Sequence, residues 1–499
     1  MGIDSEAEKL STNKLPRIGW VFGIGLFLVM LQVPAPEGLS ADAWCVAALG
    51  IFMAVLWITE AIPLPATALL PIPLAPLLGV SSVQETVVSY SHPVIFLFMG
   101  GFIVALAMER WKLHQRIALF VLNLSGDRPS FLVGGFLAVS AFLSMWVSNT
   151  ATTLMMLPIA VSVIGTLKVN RGSGFQGDDG LPKALMLSLA YGASAGGMAT
   201  LVGTPPNAFF AGFVKQTYGI EIGFLDWMAV ALPLSLLMLA MTWLLLTKII
   251  FKLSRERIEG ISAAIDRQVK AQGKLSRGEF LVAGVFVTLA GLWILRPWIN
   301  AAFPGLTLSD TVIAMTVGLS TFLIPVDWKK GIFLMDWEWG KKIPFGILLL
   351  FGGGLTLASL IEKTGLSIWI GQQLGSLEMF PTIVIVLVMV LLLVLLTELT
   401  SNTATTAAFL PVVGALAITL GEHPLMFVIP ATLAASCAFM LPVATPPNAI
   451  VFSAGHLAQK DMTRAGLGLN ILGVILVTLV AYTLMLWVFA IEPGVSLSF

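Results

Sequence analysis

The sequence predicts an all-α integral membrane protein of about 11 transmembrane helices plus two re-entrant hairpins, built as an inverted repeat. Three observations carry that expectation. Of 499 residues, 57% are hydrophobic and only 11% charged, with a mean hydropathy of +0.94, where globular domains carry roughly a quarter charged residues. Runs of about 20 apolar residues, enough to cross a bilayer as a helix, recur along the chain. Two polar motifs interrupt those runs, and each occurs twice. The same composition excludes other classes. A net charge of zero offers nothing to nucleic acid. The two cysteines, Cys45 and Cys437, lie in apolar surroundings and give neither a disulfide framework nor a metal site. Four scattered histidines argue against a multi-histidine metalloenzyme.

Taken in order, residues 1–17 are polar and precede a span without an A-x-A cleavage pattern, so no removable signal peptide is expected. Spans follow at about 18–34, 43–61, 65–80, 93–108, 183–202, 226–250, 280–300, 310–325, 345–361, 427–443 and 466–491. Two further apolar stretches, about 131–167 and 381–420, are too long for one helix. A Ser/Thr/Asn cluster interrupts each, which predicts two half-length helices joined at a tip. Lys and Arg concentrate in 252–277, with Lys252, Arg255, Arg257, Arg267, Lys270, Lys274 and Arg277, and the N-terminus adds Lys9, Lys14 and Arg17. The loop 35–42 and the tail 492–499 have none. The positive-inside rule then places the N-terminus and the linker inside and the C-terminus outside, which requires an odd number of crossings.

Duplication is the informative feature. Ser148-Asn149-Thr150-Ala151-Thr152-Thr153 recurs 253 residues later as Ser401-Asn402-Thr403-Ala404-Thr405-Thr406. The same offset maps Gly100-Gly101 onto Gly353-Gly354 and Glu109 onto Glu362. Thr204-Pro205-Pro206-Asn207-Ala208 recurs at an offset of 241 as Thr445-Pro446-Pro447-Asn448-Ala449, the 12-residue difference falling in the polar loop 168–182. Two copies of one unit with opposite topology place a binding site at the midplane, where broken helices from both halves meet.

Each motif has a chemistry. Ser, Asn and Thr cap free N–H groups at a helix start, and one isolated cluster would read as no more than that. Two copies at hairpin tips within apolar stretches point to binding, because irregular backbone at membrane depth persists only in protein or around an aqueous cavity. The tips offer hydroxyl and amide donors, side-chain oxygens, and half-helix N-termini whose dipoles favour anions. Consecutive prolines remove two N–H donors and break a helix, and the carbonyls freed beside Gly203 and Ala444 suit a cation. No Lys, Arg or His lies within either tip or break, so a multivalent anion there needs cations from solution. Glu398, the sole nearby acid, reads equally as a local anchor. Glu109-Arg110 and Glu362-Lys363 read as ion pairs at span ends, and Lys215 and His456, each eight residues past an Asn of the second motif, as helix-end solvation.

At these residues the sequence resembles the divalent anion:sodium symporter family, the sodium–dicarboxylate carriers also called INDY proteins. The resemblance spans almost the whole chain and rests on the paired motifs and on the stretch Ser144-Met145-Trp146-Val147-Ser148-Asn149-Thr150. It implies a homodimer in the cell membrane, each protomer an elevator that carries succinate, malate or fumarate with Na⁺. The implied scaffold is 1–128 and 279–375, the transport domain 129–252 and 376–499, and 253–278 the linker between them. Carried over residue by residue, one sodium site is implied at Ser144, Ser148, Asn149 and Gly203, and its counterpart at Thr397, Ser401, Asn402 and Ala444. The substrate carboxylates are implied to meet Ser148, Asn149 and Thr150 on one side and Ser401, Asn402 and Thr403 on the other, with Thr204, Thr445 and Pro446 nearby. Thr204 stands where some members have Ser, and both carry a hydroxyl. Na⁺ is the expected coupling ion, with no organic cofactor and no catalytic residue. Sodium-independent exchangers in the family are the alternative, and an anion channel or a membrane enzyme the different class. No H-E-x-x-H, G-x-S-x-G or P-loop pattern supports catalysis.

Overall fold

Every one of the eleven predicted spans holds a helix. The structure, a computed structural model, describes residues 15–171, 180–254, 256–258 and 260–495. Among the described residues eight helices are long and apolar enough to cross a membrane, from Ala41–Thr59 to Gln459–Val488, and six more are apolar but shorter. Local sequence sets their starts. Ser40 Oγ accepts from Ala43 N at 3.1 Å, and Ser276 and Glu279 form a reciprocal capping box ahead of Arg277–Ala302. Pro93, Pro129 and Pro205 each occupy a first helical position, where the missing N–H is no loss.

The element order repeats. Pro93–Arg110, Leu113–Ser125, Pro129–Ser144 and Asn149–Arg171 are matched 253 residues on by Phe345–Lys363, Leu366–Gln373, Thr382–Thr397 and Asn402–Thr419. Gly180–Gly197, Pro205–Tyr218 and Phe224–Leu244 are matched by Leu425–Ala435, Pro446–Ser453 and Gln459–Ala481. The duplicated glycines have a packing role that crosses between the copies. A Cβ on Gly100 would stand 2.5 Å from the Ala314 carbonyl, so Pro93–Arg110 and Asp310–Ser320 approach backbone to backbone. Gly353 meets the Ala68 backbone in the same way, bringing Phe345–Lys363 onto Leu64–Leu69. Ala68 and Ala314 each sit four residues into their short helices. The ion pairs are exchanged likewise. Arg110 bonds Asp336 at 2.7 Å and Lys363 bonds Glu85 at 2.8 Å, so each cation finds its acid in the other copy rather than in the glutamate beside it.

Several boundaries differ from the sequence reading. The span at 65–80 is two short helices, Leu64–Leu69 and Pro71–Leu77, divided where Pro71 and Pro73 withhold N–H donors. The span at 310–325 ends as a helix at Ser320 and gives way to a two-stranded ribbon, Pro325–Asp327 against Ile332–Phe333. Asp327 Oδ1 accepts from Lys329 N and Lys330 N at 3.1 and 3.2 Å, and Gly331 turns the chain at φ 64°. The last span, 466–491, divides into Gln459–Ala481 and Leu484–Val488. Leu113–Ser125, too amphipathic to read as a span, is a helix as well. In the linker, the helix Ile261–Ala271 buries Ile261 and Ile265 and leaves Arg267 and Lys270 exposed. Ser262 N donates to Asp127 at 3.1 Å, holding the linker to the residues just past Leu113–Ser125, and Arg116 Nε meets Glu279 at 2.7 Å, joining Leu113–Ser125 to the start of Arg277–Ala302.

Candidate functional site

Each apolar stretch with a polar interruption is a helical hairpin. The first turns at 145–148 between Pro129–Ser144 and Asn149–Arg171, the second at 398–401 between Thr382–Thr397 and Asn402–Thr419. The first arms have 16 residues, about 24 Å at 1.5 Å per residue. Each Thr-Pro-Pro-Asn restarts a broken helix, after non-helical backbone at 198–204 and at 436–445. That second break consumes half of the span predicted at 427–443, whose helix ends at Ala435.

At the first tip, Ser144 Oγ donates to Asn149 Oδ1. The same amide position lies 3.3 Å from the carbonyl oxygens of Ala193 and Gly203. Four oxygens thus lie about this position, with the Ser144 hydroxyl directed at Asn149 alone. Either Asn149 turns its amide nitrogen inward, or a cation stands among them. Glycines keep the space open, since a Cβ on Gly197 would stand 2.5 Å from Asn149 Oδ1 and one on Gly203 2.9 Å from the Ser144 carbonyl. Carbonyls of unwound backbone with side-chain oxygens are a donor set suited to Na⁺. The second tip repeats the pairing: Thr397 Oγ1 contacts Asn402 Oδ1 and the Ala435 carbonyl, each at 2.7 Å. Ala444 is buried in the adjacent break, its N–H donating to the Leu441 carbonyl at 3.2 Å, and no hydrogen bond joins it to Thr397 or Asn402.

The remaining expected residues divide by what they already bind. Ser148 Oγ accepts from Ala151 N at 3.3 Å and Thr445 Oγ1 from Asn448 N at 3.3 Å, so both cap the helices they begin. Among the described residues the hydroxyls of Thr150, Thr204, Ser401 and Thr403 make no hydrogen bond, and they remain free for a ligand. Pro446 is exposed at the start of its half-helix. The half-helices exchange partners between copies: Pro446–Ser453 packs on Asn149–Arg171, and Pro205–Tyr218 packs on Asn402–Thr419. Lys215 sits at a helix end and bonds Glu221 at 2.9 Å, and Glu221 in turn meets Arg296 at 3.2 Å. The hydrogen bond from Lys215 and the charge of Arg296 hold the Glu221 carboxyl below its usual range.

Of the devices that hold tips to breaks, sequence reasoning offered only Glu398, as an anchor or a ligand, and none of their partners. Glu398 is an anchor: it accepts from Phe439 N and Met440 N at 2.7 and 2.8 Å, from Leu441 N at 2.9 Å and from Asn470 Nδ2 at 2.7 Å. Met145 occupies the matching place in the first tip, and there the latch is reversed. Thr200 Oγ1, from the break, donates to the Met145 carbonyl at 2.5 Å and accepts from Gly203 N at 3.0 Å. The motif asparagines are carbonyl clamps. Asn207 Nδ2 donates to the Thr200 and Met198 carbonyls at 2.7 and 3.1 Å, and Asn448 Nδ2 to Leu441 and Ala438 at 3.0 and 3.2 Å. Their recurrence in both motifs was the available signal. Trp146 packs edge-on to Phe286 at 4.9 Å, seating the first tip against Arg277–Ala302.

A mainly helical membrane protein with a helix break and a hairpin tip each present twice, both tips rich in oxygen and without a side-chain cation, has the build of a secondary transporter. The chain belongs to the family described as the sodium:sulfate symporter transmembrane region, which it matches over residues 17–491. It is 40% identical over 486 residues to the sodium-dependent dicarboxylate transporter SdcS of Staphylococcus aureus (strain MRSA252), covering 97% of this chain and 93% of that protein. It is 38% identical over 494 residues to SdcS of Staphylococcus saprophyticus, covering 97% and 94%. Two solved transporters share the fold at low identity. The YdaH transporter of Alcanivorax borkumensis matches with a TM-score of 0.56 at 15% identity, over 90% of this chain and 99% of that one. MtrF of Neisseria gonorrhoeae matches with a TM-score of 0.59 at 12% identity, over 96% and 97%. The chain is a transporter and not an enzyme.

Proposed function

We propose that the protein imports C4 dicarboxylates, such as succinate, malate and fumarate, together with Na⁺. The observation that carries this reading is the pair of oxygen clusters, Ser144 with Asn149 and Thr397 with Asn402, beside tips that hold no side-chain cation. Two carboxylates facing helix N-termini meet only about half a positive charge at each, so the compensation falls to bound Na⁺. In this reading Ser148, Asn149 and Thr150 take one carboxylate, Ser401, Asn402 and Thr403 the other, and Thr204, Thr445 and Pro446 line the space beside them. Ser144, Ser148, Asn149 and Gly203 hold one sodium, and Thr397, Ser401, Asn402 and Ala444 the second. The names of the relatives, sodium-dependent dicarboxylate transporters, support both cargo and coupling.

The movement proposed is an elevator. Segments 129–252 and 376–499 slide against 1–128 and 279–375 within a homodimer in the cell membrane, with the N-terminus inside, the C-terminus outside and the linker 253–278 at the inner surface. The exchanged packing of the half-helices supports 129–252 and 376–499 as one moving body, since each copy completes the other. Radiolabelled succinate uptake into proteoliposomes, with and without an inward sodium gradient, is the test. Symport requires uptake that depends on the gradient and saturates. Uptake driven by internal dicarboxylate alone assigns the protein as an exchanger, and uptake that does not saturate as a channel.

A further inference from the structure

A cavity of about 670 Å³ lies apart from the hairpin tips, between Leu113–Ser125, the linker helix Ile261–Ala271, and Asn149–Arg171. Its walls are of two kinds. One is apolar, formed by Leu119, Met155, Pro158 and Ile159. The other carries Arg110, Lys112 and Arg116 with the amides of Gln115 and Gln272, against the single carboxylate of Glu279. That carboxylate is spent on Arg116 at 2.7 Å and on Ser276 N at 2.7 Å. Arg116 is further held by the Gly273 and Lys274 carbonyls at 3.2 and 3.4 Å, and Arg110 by Asp336 at 2.7 Å. Lys112 is different: among the described residues its ammonium has no ion pair and no hydrogen bond.

The internal repeat supplies a control for Lys112. It stands at the junction of two helices in the left-handed region, at φ 56°, where a side chain is strained and glycine is the ordinary choice. The second copy has glycine at the matching place, Gly365, at φ 74°. It also has Ile368 and Trp369 where the first has Gln115 and Arg116, so the polar wall belongs to one copy only. A strained lysine kept where glycine serves equally well indicates use of the ammonium. The positive-inside rule asks for cations nearby but not at a strained position. The helices that frame the cavity also carry exposed apolar side chains, Phe120 and Leu124 at 64% and 72% exposure and Leu154 at 55%. A cationic wall together with an apolar one suits an amphiphile with an anionic head.

We propose that this cavity seats the head group of an anionic phospholipid, its phosphate on Lys112 with Gln115 and Gln272, and its chains along the apolar wall. The site takes no part in the dicarboxylate reading and stands or falls without it. The test is native mass spectrometry of the purified full chain with phosphatidylglycerol or phosphatidylcholine, alongside thermal melting in each lipid. The wild type is expected to retain phosphatidylglycerol about tenfold more tightly. Lys112→Gly, which relieves the strained backbone, is expected to lose that preference about tenfold while melting no lower than the wild type, and Lys112→Arg to keep it. Unchanged phosphatidylglycerol binding by Lys112→Gly, or equal binding of the two lipids by the wild type, overturns the proposal. Displacement of the lipid by millimolar inorganic phosphate overturns the lipid assignment in favour of a soluble anion.

Discussion

Glu398→Gln isolates the anchor between the second tip and the second break. The native carboxylate is buried and gathers four donors at 2.7 to 2.9 Å, three on Oε1 and one on Oε2. A glutamine keeps one oxygen for Phe439 N, Met440 N and Asn470 Nδ2 but turns an N–H toward Leu441 N. Losing one charge-assisted bond costs about 1.5–3 kcal/mol, and reducing three others to neutral strength, roughly half, adds about 2–3 kcal/mol. Burying a neutral amide is easier than burying a charge, which leaves a net loss of about 2–4 kcal/mol. Asn470→Ala removes one bond alone and is expected to cost about 1.5–3 kcal/mol. Because the two share a partner, the double variant is expected to lose less than the sum of the singles. The assay is thermal melting of the purified protein, paired with the sodium concentration for half-maximal succinate uptake. Wild-type melting by Glu398→Gln, or strictly additive losses, would refute the anchor.

Three further outcomes are expected of the tips. On the proposed reading Asn149 and Asn402 each serve both anion and cation, so uptake by Asn149→Ala and by Asn402→Ala is expected to fall roughly 10–150-fold while gel filtration remains normal; near wild-type uptake by either rejects the assignment. Ser144→Ala and Thr397→Ala remove a hydroxyl bonded to the tip asparagine, and are expected to raise the sodium needed for half-maximal uptake while leaving the ranking of dicarboxylates as it was. Gly203→Ala brings a Cβ to 2.9 Å from the Ser144 carbonyl and is expected to weaken sodium dependence sharply; Ala444→Gly, at the matching place, adds no clash, and measuring both by sodium titration exposes the asymmetry.

What could be read from sequence was whatever is encoded along the chain. Apolar length gave most of the spans, and repetition marked both tips and the points where both broken helices restart, while the breaks themselves begin earlier, after Gly197 and Ala435. Pairings five residues apart, Ser144 with Asn149 and Thr397 with Asn402, join the last residue of one hairpin arm to the first of the next across the tip. What escaped is settled through space. Glu398 reaches Asn470, 72 residues on, and no periodicity encodes that. The helix Leu113–Ser125 is too polar along one face to register as a span, and the ribbon after Ser320 owes its turn to a single Asp and a single Gly. The glycine pairs were visible, but their partners, Ala314 and Ala68, lie in the opposite copy.

Those reciprocal contacts bear on how the molecule is made. Gly100 on Ala314 and Gly353 on Ala68, with Arg110 on Asp336 and Lys363 on Glu85, follow the rule of an isologous interface, in which each partner lends the other the same surface. Here the two partners are one polypeptide, as though a symmetric dimer had been fused end to end. During synthesis Arg110 waits for Asp336 while about 225 residues are added, roughly 10–45 s at ribosomal speed. For that interval the newborn first half holds a bare glycine face and an unmatched guanidinium, and a wrong neighbour in the membrane has its opportunity then.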